Sequence, residues 1–433
     1  MRLGRTLPPA AAPIGMTDFV SGVYGLFRGR RELDRFQSEL KEQFGVKHCY
    51  LVSSGKAAFA LILLALKKLF PDRDKVLIPA FTCFSVPSSV VRAGFTISLC
   101  DVHPDSLDFD FVQLSAILSE SSLSLADAGP AEAAADSLVR TRDSAGNSGG
   151  SIGHILAVVP THLFGIPADV ARLREMIRDP GVTIVEDAAQ AMGESRQGRK
   201  VGALGDVSFF SLGRGKALSV VEGGVILTDR DDLAEVLDRL VGRLPRYGLL
   251  PLLSLIFKAA ALITFIRPRF FWVPKSIPFL KLGETLFEPH FPIRRMSSFQ
   301  AGLARNWREK LEMLRDIRKK NVNRWIAYLE GSSIRESHFL GTQSLGLVRF
   351  PLRVRDKKKR EILLRESARS GLGIMPAYPT SINAIPQLKA KIGRGAFPVA
   401  ESCARELVTL PTHGFLTKDD VSKLSKLISR VLG

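Results

Sequence analysis

The chain has 433 residues, of which 45% are hydrophobic, and its formal net charge is +18. This length supports a large buried core and two or three domains. The basic balance favours acidic partners such as phosphorylated small molecules or anionic lipid. The sequence has no zinc-finger spacing, no RNP-type aromatic motif and no basic recognition helix, so nucleic acid is not expected as a partner.

The four cysteines are scattered along the chain and form no CxxC pair: Cys49, Cys83, Cys100 and Cys403. This usage predicts neither a metal site nor a disulfide framework. It fits a reducing cytoplasm, and the N-terminal segment lacks the uninterrupted apolar stretch of a signal peptide. We therefore expect a cytoplasmic protein, with peripheral contact at the inner membrane surface left open.

The first hundred residues alternate between helical and strand patterns. Helices are predicted over 30–46, closing on Gly45, and then over 57–70 and 85–93. Short apolar runs predict strands over 49–52, 75–78 and 96–100. This βαβαβ order is typical of a parallel sheet covered by helices.

The composition changes after residue 117. Residues 118–152 are rich in Ser, Ala, Asp and Gly and contain no aromatic residue, which predicts a long surface insertion that is partly disordered. Beyond it the pattern predicts strands over 155–159, 182–185, 207–211, 224–228 and 347–352, and helices over 170–177, 297–329, 358–370 and 418–432. We therefore predict three parts: a large domain (1–240), a hydrophobic basic insertion (241–292), and a long helix with a small C-terminal α+β domain (293–433).

One segment of the insertion is almost wholly apolar. Residues 248–266 read GLLPLLSLIFKAAALITFI, with Lys258 as the only charge. Basic residues flank it on both sides: Arg243, Arg246, Arg267 and Arg269. Its length of 19 residues just reaches that of a transmembrane helix, but Pro251 and Lys258 weaken that interpretation. A buried hairpin or dimer contact, a membrane-surface element and a span all remain open.

Three short motifs place candidate ligand-binding groups directly after predicted strands. Asp187 lies in EDAAQ (186–190), where α/β folds place ligands. The turn SLGRGK (211–216) exposes backbone N–H groups to a phosphate and delivers Lys216, whose amine can act as a nucleophile. The turn SSGK (53–56) offers the donors and dipole of a helix N-terminus. Taken singly, each also fits an ordinary helix cap or a surface lysine.

In combination the motifs resemble those of the DegT/DnrJ/StrS sugar aminotransferases, which are fold-type-I enzymes dependent on pyridoxal phosphate (PLP). The resemblance extends over residues 53–55, 76–94, 159–169, 185–195, 202–229, 294–304 and 397–413. It implies an α/β fold with a large domain, whose mixed, mostly parallel sheet is covered by helices, and a small C-terminal α+β domain. No metal is implied.

The resemblance also implies roles for individual residues. Lys216 matches the lysine that binds PLP covalently, Asp187 the partner of the pyridinium nitrogen, and Gln190 the glutamine beside the ring hydroxyl. Ser211 matches the serine that holds the phosphate, together with the turn of Ser54, Gly55 and Lys56. Arg295 matches an arginine that reaches into the neighbouring subunit's site, so a homodimer with shared active sites is implied.

Several positions depart from the family pattern. Lys56 stands where a small residue is usual and would add a charge beside the phosphate. Cys83 replaces the aromatic that stacks on the PLP ring, so Phe84 or Phe81 becomes the candidate for that contact. The Tyr-x-Pro-x-His pattern linked to substrate handling is reduced to Tyr378-Pro379-Thr380. The residues that match the cofactor part of the family's site are therefore intact, while the substrate part has diverged.

The resemblance implies transfer of an amino group from glutamate or glutamine to a nucleotide-linked keto sugar, in surface polysaccharide or secondary-metabolite biosynthesis. Lys216 would be both covalent anchor and proton carrier. One alternative is another PLP reaction such as sugar dehydration, although dehydrating relatives have His where Lys216 stands. The other is a non-catalytic regulator or scaffold. His162 matches a family histidine and fits a structural role equally well.

Overall fold

A seven-stranded sheet forms the centre of the computed structural model, which describes residues 4–127, 154–277, 285–332, 342–389, 391–392 and 395–433. Its strands are β1 His48–Val52, β2 Arg73–Pro79, β3 Thr96–Cys100, β4 His154–Val158, β5 Thr183–Asp187, β8 Val207–Ser211 and β9 Gly224–Thr228. The spatial order is β1-β9-β8-β5-β4-β2-β3. Only β9 runs antiparallel to its neighbours. The carboxyl ends of the other six strands therefore lie at one edge, and the predicted mixed, mostly parallel sheet is confirmed.

Helices cover both faces of this sheet because the strands are apolar on both sides. On one face Phe59 stacks on Phe209 with ring centroids 4.8 Å apart, and on the other Phe44 meets Phe210 at 5.0 Å. Phe209 and Phe210 are consecutive on β8, so they point to opposite faces. The first half of the chain forms α1 Met16–Arg28, α2 Arg30–Phe44, α3 Gly55–Leu69, α4 Ser85–Arg92, α5 Phe111–Asp127, α6 Val170–Met176 and α7 Asp231–Arg243.

The C-terminal part builds a second, three-stranded antiparallel sheet in the order β10-β12-β11. Its strands are β10 Phe350–Arg353, β11 Met375–Pro376 and β12 Leu407–Leu410; the remaining pair, β6 Ser195–Arg196 and β7 Arg199–Lys200, forms a separate hairpin. The later helices are α8 Leu249–Phe265, α9 Trp272–Lys275, α10 Ser298–Leu303, α11 Trp307–Glu330, α12 Lys357–Ser370, α13 Pro398–Glu406 and α14 Lys418–Leu432. The predicted boundaries at 240 and 292 stay a prediction.

Two predicted elements differ from the structure. The helix predicted over 297–329 is wrong, because α10 and α11 are separate helices. Trp307, which begins α11, is buried, and its indole N–H donates to Glu39 at 2.9 Å. This contact fixes the start of the second helix. Residues 118–127, predicted as part of a partly disordered surface insertion, continue helix α5 to Asp127. The remainder of that insertion, 128–152, lies outside the described residues.

Helix α1 was not predicted, because its glycines argue against a helix. Gly22 and Gly25 are instead required by close packing on α10. A Cβ atom on Gly25 would lie 2.5 Å from the carbonyl oxygen of Ser298 and 3.0 Å from the Cα of Gly302. The two backbones approach so closely that no side chain fits between them.

The apolar segment 248–266 forms the single helix α8 rather than a hairpin. Its buried side chains are Leu255 and Ala259, whereas Leu250 and Phe257 are 78% and 74% exposed. In the described part of the chain, no helix has both the length and the apolar character that a bilayer crossing requires.

The N-terminal segment ties the C-terminal part to the rest of the molecule. Arg5 pairs with Asp420 at 2.5 Å, and Leu7 N–H donates to Gly371 O at 2.8 Å. His413 is 2% exposed; its Nε2 lies 2.8 Å from Pro8 O, and its Nδ1 accepts from Phe415 N–H at 3.2 Å. Burial lowers the pKa of His413 to about 4, against a weaker opposing effect of the Pro8 hydrogen bond.

This histidine should make stability depend on pH. The unfolded chain takes up the proton near pH 6.5, so stability is full above that pH and falls as the pH drops from 6.5 toward 4, by up to about 3 kcal/mol. His413→Gln should remove this part of the dependence, measured as urea midpoints at pH 7.5 and pH 5. His103→Gln, at an exposed histidine, is the matched control and should retain it. An unchanged pH dependence in His413→Gln would contradict the assignment.

Candidate active site

The residues predicted from the three motifs meet at the carboxyl edge of the central sheet. Asp187 is the last residue of β5 and Ser211 the last of β8. Ser54 and Gly55 follow β1 and begin α3. Lys216 follows β8 in a turn closed by its own N–H, which donates to Gly213 O at 3.2 Å. The structure therefore brings these groups together, as the spacing of strands and motifs predicts.

Asp187 is buried beside Lys216. The carboxyl is 4% exposed, and its Oδ1 accepts from Ala189 N–H at 3.1 Å. Burial raises the pKa of Asp187, while the positive charge of Lys216, the Ala189 N–H and His162 act in the opposite direction. A cation placed against this carboxylate would therefore be strongly favoured.

A compact anion cup lies between α3 and β8. A Cβ atom on Gly55 would lie 2.8 Å from Ser211 Cβ and 3.2 Å from Ser211 Oγ. Likewise a Cβ on Gly213 would lie 3.4 Å from Ser211 Oγ and 3.9 Å from Lys216 Cγ. Ser54 Oγ accepts from Ala57 N–H at 3.1 Å, which leaves the first N–H groups of α3 for a ligand. The helix dipole and these donors suit a phosphate.

Three buried hydroxyls at this edge have no hydrogen-bond partner within the described ranges: Thr82 Oγ1, Thr161 Oγ1 and Ser381 Oγ. Thr82 follows β2, Thr161 forms a bridge with Asp187, and the residue after Ser381 donates its N–H to Ala80 O. Unpaired buried hydroxyls are uncommon unless a ligand uses them. The full donor set of carboxylate, amine, hydroxyls and helix N-terminus fits PLP, whose phosphate, pyridinium nitrogen and aldehyde need these groups.

Gln190 contacts the C-terminal part of the chain. Its Nε2 donates to the hydroxyl of Tyr378 at 3.1 Å. The Tyr378 ring stacks on Phe164 with centroids 6.2 Å apart, and the Arg349 guanidinium lies 5.5 Å from the centre of the Phe164 ring. Burial raises the pKa of Tyr378 far above its usual range. Arg349 was not singled out from the sequence, because nothing in its local pattern distinguishes it.

Both ring nitrogens of His162 have partners within the protein. It is fully buried, its Nδ1 accepts from Ala168 N–H at 2.9 Å, and its Nε2 lies 3.0 Å from Glu186 Oε2. Burial acts to raise the pKa of Glu186, but hydrogen bonds from His162 and from the N–H groups of Gly205 and Gly202 outweigh it and lower that pKa. Both ring nitrogens of His162 are thus used in holding the strand ends together.

The side chains of Lys56 and Phe84 point to other neighbours. The Lys56 ammonium pairs with Glu288 at 3.1 Å and lies 4.7 Å from the centre of the Phe291 ring. Phe84 is buried in the core at the start of α4. Cys83 is only half-buried, and its Sγ lies 3.3 Å from Ser85 Oγ. The part that Lys56 and Phe84 play at the cofactor stays a prediction.

The backbone of Arg295 forms a bridge with Val52 at the end of β1, but its side chain points to a different part of the chain. Its guanidinium donates to Val241 O at 3.1 Å and to Gly242 O, at the end of α7. It lines an open groove of about 740 Å³, and none of Asp187, Ser211 and Lys216 lines that groove. A role for Arg295 at a PLP site would therefore need a second subunit.

Phosphate binding in the anion cup can be tested by placing a methyl group in it. Gly55→Ala should raise the dissociation constant of PLP about tenfold or more, because the new methyl group overlaps Ser211. Gly242→Ala is the control, since a Cβ there meets nothing within 4 Å. Fluorescence titration of each variant with PLP gives the constants. Equal affinities in Gly55→Ala and wild type would rule out phosphate binding at this turn.

Comparison with known proteins agrees with this geometry. The family model described as DegT/DnrJ/EryC1/StrS aminotransferase family matches residues 24–242 and 293–429. GDP-perosamine synthase of Caulobacter vibrioides is 24% identical, covering 93% of this chain and 90% of that protein. L-glutamine:2-deoxy-scyllo-inosose aminotransferase of Streptomyces lividus is 25% identical, with 95% and 88% covered.

A solved structure shares the fold. GDP-4-keto-6-deoxy-D-mannose-3-dehydratase of Escherichia coli, with bound hydrated PLP, superposes with a TM-score of 0.70 at 15% identity, covering 98% of this chain and 100% of the other. Because the family model matches most of the chain, including every strand of the central sheet, the chain belongs to the DegT/DnrJ/EryC1/StrS aminotransferase family and is a PLP-dependent aminotransferase.

Proposed function

We propose that this enzyme transfers an amino group from glutamate or glutamine to a keto sugar, and that the sugar is linked to a nucleotide. The observation that carries the proposal is the convergence of Asp187, Ser211, Gly55 and Lys216 at one sheet edge. A non-catalytic scaffold would have no use for a lysine beside a buried carboxylate. A His at position 216 would favour dehydration, and this chain has Lys.

PLP, when bound, supplies an aldehyde that reacts with amines and a ring that accepts the electron pair released at the neighbouring carbon. Asp187 would hold a positive charge at the ring nitrogen. Ser211, Ser54 and the first N–H groups of α3, at Gly55 and Lys56, would hold the phosphate. Gln190, fixed by Tyr378, would orient the ring, with Phe84 or a neighbouring aromatic against its face.

During amino transfer, the amine of Lys216 would take a proton from the substrate carbon that loses it and deliver it to the atom that receives it. Its Nζ has no hydrogen-bond or ion-pair partner among the residues that the structure describes, and the glycine turn on its N-terminal side leaves its stem room to move. The amine is thus positioned by the turn rather than fixed by a partner. Proton transfer in both directions requires this freedom.

The substrate class is supported by the two relatives whose names specify it. One is named for an amino sugar carried on GDP and the other for glutamine as donor to a cyclic ketone. The net charge of +18 suits a phosphorylated substrate. We also propose a homodimer in which Arg295 of each subunit completes the other's site, since Arg295 has no place at its own.

Isotope transfer tests the proposal. The PLP-loaded enzyme is incubated with glutamate or glutamine labelled with ¹⁵N at the α-amino group, desalted, and mixed with a GDP-linked keto sugar or with 2-deoxy-scyllo-inosose. Mass spectrometry should find one ¹⁵N in the sugar product. Loss of water without ¹⁵N uptake would support dehydration instead. Failure to retain any label on the protein from either donor would support the scaffold.

A further inference from the structure

Helix α8 presents an apolar surface that the rest of the described chain does not cover. One side packs on the core through Leu255 and Ala259, with Leu252 and Ile256 partly buried beside them. The opposite side exposes large apolar side chains at helical spacing: Leu249 72%, Leu250 78%, Leu253 51% and Phe257 74%. A helix that is apolar all round is normally buried, so this exposed side requires a covering partner.

Helix α1 adds a second apolar stripe beside the first. Phe27 is 85% exposed, and Met16, Val20 and Tyr24 share its side of the helix at 62%, 60% and 45%. The other side of α1 packs through Phe19, Val23 and Leu26 on the same core cluster that receives α8, and the two helices touch. Both exposed stripes therefore lie on touching helices that pack on the same core, and together they are called here the α1–α8 face.

The surroundings of the α1–α8 face are strongly basic. Residues 239–283 contain eight Lys or Arg and no Asp or Glu. Five of these cations are exposed at the two ends of α8 or on it: Arg243, Arg246, Lys258, Arg267 and Arg269. Within the ranges described, none of the five forms a salt bridge to an acidic side chain. Their charge is thus free for an external anion.

We propose that the α1–α8 face docks on the surface of an anionic lipid bilayer. Apolar side chains would enter the region between headgroups and acyl chains, and the arginines at both ends of α8 would contact lipid phosphates. A second copy of the chain is a poorer partner for this face, and the homodimer proposed above would meet at the groove that Arg295 lines. A symmetric contact would bring these unpaired cations against their own copies, with no acidic residue in the segment to balance them.

Vesicle sedimentation of the PLP-loaded full chain tests the proposal. Wild type should pellet with vesicles of phosphatidylcholine and phosphatidylglycerol, less with phosphatidylcholine alone, and less in high salt. Leu250→Ser/Phe257→Ser and, separately, Phe27→Ser should lower the partition coefficient about tenfold or more. Arg267→Gln/Arg269→Gln should weaken the preference for the anionic vesicles, because two of the five exposed cations are then neutral. Val112→Ser, at an 81% exposed valine on α5, is the matched control and should pellet like wild type.

Two results would overturn the proposal. One is wild type remaining in the supernatant with both kinds of vesicle. The other is an oligomer that dissociates in Leu250→Ser/Phe257→Ser, measured by light scattering, while vesicle binding stays unchanged, because a second copy would then be the covering partner. Transfer of ¹⁵N from the amino donor is measured without vesicles, so failure of this proposal leaves the proposed reaction standing.

Discussion

Lys216→Ala is expected to lower kcat for amino transfer about 10⁴-fold, because one side chain is both nucleophile and proton carrier. PLP should still bind, since the anion cup at Gly55 and Ser211 and the Asp187 carboxylate are untouched. Single-turnover kinetics with labelled glutamate measures the rate. Borohydride reduction followed by peptide mapping shows whether the cofactor becomes fixed to the turn at 211–216.

Two control variants separate the reactivity of the Lys216 amine from the effect of positive charge in the same turn. Lys216→Arg keeps a cation near Asp187 but cannot react with the aldehyde, so it should be as inactive as alanine. Arg214→Ala removes an exposed cation from the same turn and should keep nearly full activity. Cofactor that is still trapped on the 211–216 peptide in Lys216→Ala would mean that another group forms the bond.

Asp187→Asn is expected to lower kcat about 10²–10³-fold with a smaller loss of PLP affinity. The carboxylate lies in a buried position where its charge is costly, and only a cationic partner makes that position favourable. An amide of the same shape cannot hold the ring nitrogen in its protonated form. Steady-state kinetics and PLP titration of the same preparation give the two losses separately.

Asp101→Asn provides the control for burial. Asp101 and Asp187 are each 4% exposed, but Asp101 accepts from the N–H groups of Val399 and Ala400. Its replacement should lower stability and leave kcat per folded molecule close to that of wild type. Equal kcat losses in the two variants would show that Asp187 acts only through folding.

The position of the candidate residues at one edge of the sheet could be predicted from the sequence, because each of them follows an apolar strand; their roles at PLP come from the family resemblance and stay a prediction. Asp187 and Ser211 end such runs, and a glycine turn places Lys216 five residues after Ser211. Parallel strands then bring residues far apart in the chain to one edge. Local pattern and long-range arrangement agree on this grouping, so the grouping could be predicted without knowledge of side-chain contacts.

The remaining features depend on contacts that local patterns do not contain. The hydrogen bond from Gln190 to Tyr378 joins residues 188 positions apart. Helix α1 exists because Gly25 meets the backbone of α10, although glycine by itself disfavours helices. The sequence left the surroundings of the apolar segment 248–266 open, and it did not indicate the exposed stripe of α1. Met16, Val20 and Phe27 look like ordinary core positions until their neighbours are known.

The N-terminal segment contacts both the turn of Lys216 and the C-terminal part of the chain. Residues 5–8 are bound to the C-terminal part at Asp420, Gly371 and His413. Ala10 then lies against Gly215, since a Cβ atom on Gly215 would be 3.3 Å from the Cβ of Ala10. The position of the Lys216 turn therefore depends on contacts with the C-terminal part of the chain as well as on the strand that precedes the turn.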